Sequence, residues 1–85
     1  MAKQADTPAA YGATVYAEVA VEYLGEALHR LEYHADVHVV SQGHDKLLGR
    51  YVLGLRSDRF PRHWNRRDVT LQTSRDDPGL TFKLR

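Results

Sequence analysis

From Thr14 onwards the apolar positions of the chain fit two periods at once. On a helical template Tyr16, Val19, Ala20, Tyr23, Leu24, Ala27, Leu28 and Leu31 form one stripe, opposite a row of Glu18, Glu22, Glu26 and Arg30 at i, i+4 spacing. On a strand template Val15, Ala17, Val19, Val21 and Tyr23 alternate with Tyr16, Glu18, Ala20 and Glu22. The β-branched residues favour the strand, and Gly25 offers a break. The uninterrupted stripe decides for one N-terminal amphipathic helix over about 14–35. The second reading is a strand as far as Leu24, followed by a short helix from Glu26 to Tyr33.

Past Asp36 the texture changes. Val37, Val39 and Val40 read as a strand, Ser41 to Asp45 with Gly43 as a turn, and Leu47 to Arg56 as the returning strand of a hairpin. A proline-containing connection runs from Asp58 to Asp68. Val69, Leu71 and Thr73 then share one strand face, Arg75 to Gly79 supply turn chemistry, and Leu80, Phe82 and Leu84 share a face of the next strand. The pattern predicts an α+β fold, with the helix packed on an antiparallel sheet of about four strands. A 22-residue helix is about 33 Å long and a six-residue strand about 20 Å. The helix would therefore overhang the sheet, which predicts a homodimer that covers the overhanging stripe.

The chain has 85 residues, enough for one hydrophobic core. Residues 1–10 are small, polar and proline-containing and read as a flexible N-terminal segment, which leaves 11–85 as a single domain. No apolar run approaches a membrane span, and the first ten residues lack the basic and apolar blocks of a secretory signal, so the expectation is a cytoplasmic protein with no membrane partner. The absence of cysteine excludes disulfides, thiolate zinc sites, iron–sulfur clusters and a cysteine nucleophile.

Charge adds more to the picture. The formal net charge is +1, but residues 1–35 carry two basic against five acidic residues (−3) and residues 36–85 carry ten against six (+4). The excess is concentrated in residues 56–67, where Arg56, Arg59, Arg62, Arg66 and Arg67 lie within twelve residues of one another, together with Phe60, His63 and the single tryptophan, Trp64. Guanidinium groups are planar, permanently charged and suited to phosphate oxygens, and aromatic rings offer faces on which a base stacks. The competing reading is a loop whose arginines are paired with Asp58, Asp68, Asp76, Asp77 or the Glu row, with Trp64 in the core.

Other constellations are weaker. His34 and His38 have a helical metal-ligand spacing, but they lie where the pattern turns to strand, which puts them too far apart for one ion. The serines and glycines form neither a nucleophile elbow nor a phosphate loop. No catalytic residue, metal or cofactor is expected. The sequence points instead to a small binding module whose loop 56–67 contacts an anionic partner, most concretely nucleic acid. An alternative is a protein-interaction module, an inhibitor or adaptor of the kind found in mobile genetic elements, that uses the loop and the helix face against an acidic protein surface. A third reading is a metal-independent RNase with His63 among the arginines.

Overall fold

A computed structural model describes residues 12–73 and 79–85. The sequence-based expectations for residues 1–10, for the turn after Arg75 and for Asp76 and Asp77 lie outside the described residues. The elements run β1 (Ala13–Ala20), a 3-10 turn (Val21–Tyr23), α1 (Leu24–Glu32), β2 (Val37–Asp45), β3 (Arg50–Ser57), a 3-10 turn (Arg62–Trp64), β4 (Asp68–Thr73) and β5 (Leu80–Leu84). No described helix is long and apolar enough to cross a membrane.

The continuous helix is corrected to a strand followed by a helix. Ala13, Val15, Ala17 and Val19 are all buried and alternate with half-buried Thr14, Tyr16, Glu18 and Ala20, the period of a strand with one face on the core. The period changes after Ala20. Leu24, Ala27, Leu28 and Leu31 then fall at i, i+3, i+4 and i+7; Ala27 and Leu31 are buried, and Glu26 pairs with Arg30 on the outer side at 3.2 Å. A nine-residue helix is about 14 Å long and does not overhang the sheet, so the argument for a homodimer through it falls away.

The sheet has five strands in the order β2-β3-β1-β4-β5 and is mixed rather than antiparallel throughout. β1 pairs antiparallel with β3 (Val15 opposite Leu55) and parallel with β4 (Tyr16 beside Asp68). β2–β3 and β4–β5 are antiparallel pairs. The parallel pair arises because the chain leaves β3 at Ser57, next to the start of β1, passes that end of β1 and enters β4 on its other side. The β2–β3 turn is also shifted. β2 continues to Asp45 through an irregularity between Val39 and Ser41. The reversal uses Asp45 Oδ1, which accepts from the backbone N–H groups of Leu47 and Leu48, and Gly49 at φ +64°.

One face of the sheet carries the core. Val15, Ala17, Leu53, Leu55 and Val69 are fully buried there beneath α1 and Phe60, which is 2% exposed and packs edge-on against Phe82. The opposite face carries Thr14, Tyr16 and Glu18 of β1 and their neighbours in register, whereas the buried residues of α1, Ala27 and Leu31, belong to the core side.

Candidate binding surface

The connection between β3 and β4 splits its residues between the core and the surface. Ser57, itself buried, accepts the Arg59 backbone N–H on Oγ and the Phe60 N–H on its carbonyl, and this turns the chain so that Phe60 points inward. Phe60 is therefore core, and its ring is not available to stack on a base. Trp64 lies behind it, partly buried, with ring centroids 6.2 Å apart and planes 21° from parallel. The pair anchors the 3-10 turn and leaves Arg62 and His63 exposed.

Residues 65–67 are fastened to the edge of β1 that β4 has not yet reached. Asn65 Oδ1 accepts the Thr14 N–H at 3.0 Å, Arg66 N–H donates to the Thr14 carbonyl at 2.6 Å, and the Tyr16 N–H donates to the Arg67 carbonyl at 3.0 Å. These bonds satisfy strand groups that would otherwise be left open. Arg66 adopts φ +66°, the one described non-glycine residue with a positive φ. That conformation costs an L-residue with a Cβ about 1 kcal/mol or more.

The eight described arginines divide into two sets of four. Arg30 pairs with Glu26, Arg59 with Asp36, and Arg50 and Arg85 both with Glu18. Arg59 also donates to the Leu80 carbonyl at 3.2 Å and lies 6.0 Å from the centre of the Phe82 ring. It is thus a bracket between the turn after α1, the connection and β5. The side chains of Arg56, Arg62, Arg66 and Arg67 have no ion pair or hydrogen bond among the described residues, and all four residues are exposed.

Arg56, Arg66 and Arg67 lie at one end of the sheet, and Arg62 is in the connection that runs past it. Arg56 faces Thr14 across the β3–β1 ladder, and Arg66 bonds to Thr14 from the other side. Two strand spacings, about 10 Å, separate their backbones. His38 lies opposite Arg56 on β2 and extends the row. The sequence clustered these residues, but it did not separate the bracket Arg59 and the core Phe60 from the exposed set. No three described His, Asp or Glu side chains gather as they would around a metal ion. No family model, curated protein or solved structure matches the chain.

Proposed function

We propose that the protein is a non-enzymatic binding module whose arginine-bearing end holds an anionic partner, most concretely the phosphate backbone of a nucleic acid. The observation that carries this reading is the division of the arginines: the other four described arginines are paired with carboxylates, whereas Arg56, Arg62, Arg66 and Arg67 are exposed and without a partner among the described residues, with Arg56 and Arg66 flanking Thr14. Clustered unpaired guanidinium groups neutralise phosphates and release the counterions condensed on a nucleic-acid backbone. Arg66 adds support, because a left-handed backbone is more easily occupied by glycine. Trp64 serves as the anchor of the turn.

The test is a titration of labelled RNA and DNA at two salt concentrations with the parent protein, the triple variant Arg62→Glu, Arg66→Glu, Arg67→Glu, and Arg30→Glu as a control. The expected result is binding that weakens with a log–log salt slope of about −3 for three or four neutralised phosphates, retained by the control and lost in the triple variant. Failure to bind any oligonucleotide at low salt would remove nucleic acid as the partner and leave an acidic protein surface as the object of search.

A further inference from the structure

The basic end continues into the helix-free face of the sheet. Tyr16 stands in the middle of that face, on the central strand, two residues along from Thr14 and its flanking arginines. Its β3 neighbour in register is Gly54, which contributes no side chain, and the space over it holds only the Ser41 side chain and a Val40 methyl, both reaching over from β2. Its β4 neighbour is Asp68. The Glu18 carboxylate, next along β1 on the same face, is neutralised by Arg50 and Arg85. Lys83, opposite Thr70 on the β5 edge, has no partner among the described residues. The face therefore has a low floor of small and aliphatic groups beside one aromatic ring at its centre, and unpaired cations at one end and one edge.

We infer that this face is a platform for a single-stranded nucleic acid, with Tyr16 stacking on an unpaired base while Arg56 and Lys83 hold phosphates on either side. The inference rests on the binding reading above and specifies the strandedness of the ligand. A duplex keeps its bases stacked inside, and its grooves are read by a protruding helix or ribbon. A half-buried aromatic ring on a sheet face meets a base only when the strand is unpaired. Charge complementarity commits the face to this occupant: Asp68 is the carboxylate beside Tyr16 that no described residue neutralises, and the free cations around it outnumber it.

The experiment compares a 12-nucleotide RNA, the same sequence as DNA, and the duplex of each, against the parent protein, Tyr16→Ala, Tyr16→Phe and Asp68→Asn. Amide shifts of the parent protein are followed in parallel by NMR. The expected result is single strands bound at least tenfold more tightly than duplexes, about a tenfold or greater loss on Tyr16→Ala, retention on Tyr16→Phe and tighter binding on Asp68→Asn. Amide shifts on binding should gather at Gly54, Ser41 and Lys83 rather than at Ala27 and Leu31 of the covered face, a readout that needs no variant to fold. Equal affinity for duplexes, or shifts confined to residues 62–67, would overturn the platform while leaving the arginine site standing. A dimer in which the Tyr16 ring is in contact with a second copy without oligonucleotide would overturn it as well. No binding of any nucleic acid would remove both readings.

Discussion

Arg59 and Asp36 join two parts of the chain that are 23 residues apart: the guanidinium lies 2.8 Å from Asp36 Oδ2, at the turn between α1 and β2. Desolvation acts to raise the pKa of the Asp36 carboxyl. The Arg59 hydrogen bond, a bond from the residue's own backbone and the positive charges of Arg59 and His34 outweigh it, and the net pKa lies below the ordinary 3.8. A carboxyl with a depressed folded-state pKa adds stability above its unfolded value, and that stability is lost as pH falls through the folded value. Asp36→Asn should therefore be less stable than the parent at neutral pH, with the gap closing under acid. Urea midpoints of both proteins at neutral pH and at about pH 2.5 measure this. An unchanged gap would show that the charge of Asp36 plays no part.

Phe60 is the residue of the arginine-rich stretch that the fold needs most. It is 2% exposed, between Trp64 and Phe82. Phe60→Ala should cost about 3–5 kcal/mol, a large part of the roughly 4–13 kcal/mol available to a domain of this size. Phe60→Leu should cost less than Phe60→Ala and leave nucleic-acid affinity as it was. Denaturant unfolding and a binding titration on the same samples separate the two effects. A fall in affinity for a folded Phe60→Leu protein would contradict its placement in the core.

The residue before β1 is constrained by its approach to the end of β3. A Cβ on Gly12 would lie 2.5 Å from the Ser57 carbonyl oxygen and 2.9 Å from its carbon, both backbone atoms that cannot rotate away. Gly12→Ala should destabilise the protein by about 1–3 kcal/mol, because β1 or the start of the β3–β4 connection must shift. Gly25→Ala is the natural control. Nothing stands within 4 Å of a Cβ there, and alanine favours the helix by about 1 kcal/mol, so this change should raise the unfolding midpoint.

How much of this was legible in the sequence depended on whether one period acted alone. The alternations Val69-Leu71-Thr73 and Leu80-Phe82-Leu84 have no helical rival, and the strands lie where they were predicted. β1 reads as helix because Tyr16 and Ala20 complete a helical stripe with Val19 and Tyr23, although in the fold Tyr16 and Ala20 lie on the opposite face of the strand from buried Val19. Gly43 suggested a turn two residues before the strand ends, whereas the reversal depends on the Asp45 carboxylate and on Gly49. The parallel β1–β4 pair could not be read from any local pattern, since it depends on residues 58–67 passing the end of β1. Within the site, the composition placed the arginines together. Their division into bracket and free set follows from tertiary contacts to Asp36 and Leu80.

Arg66 allows stability and binding to be separated at one residue. Its backbone sits at φ +66°, its N–H is committed to the Thr14 carbonyl, and its side chain has no partner among the described residues. Glycine at this position keeps the hydrogen bond and relieves the left-handed strain, although it also gives the unfolded chain more freedom, which offsets part of the gain. The expected outcome for Arg66→Gly is a stability equal to that of the parent or up to about 1 kcal/mol greater. Affinity for oligonucleotides should fall at the same time, and the salt slope should become shallower by about 1, the value of one lost phosphate contact. Arg66→Lys should keep the strain and most of the salt slope. If Arg66→Gly instead unfolds the protein at lower denaturant and binds as well as the parent, the arginine supports the turn and takes no part in binding.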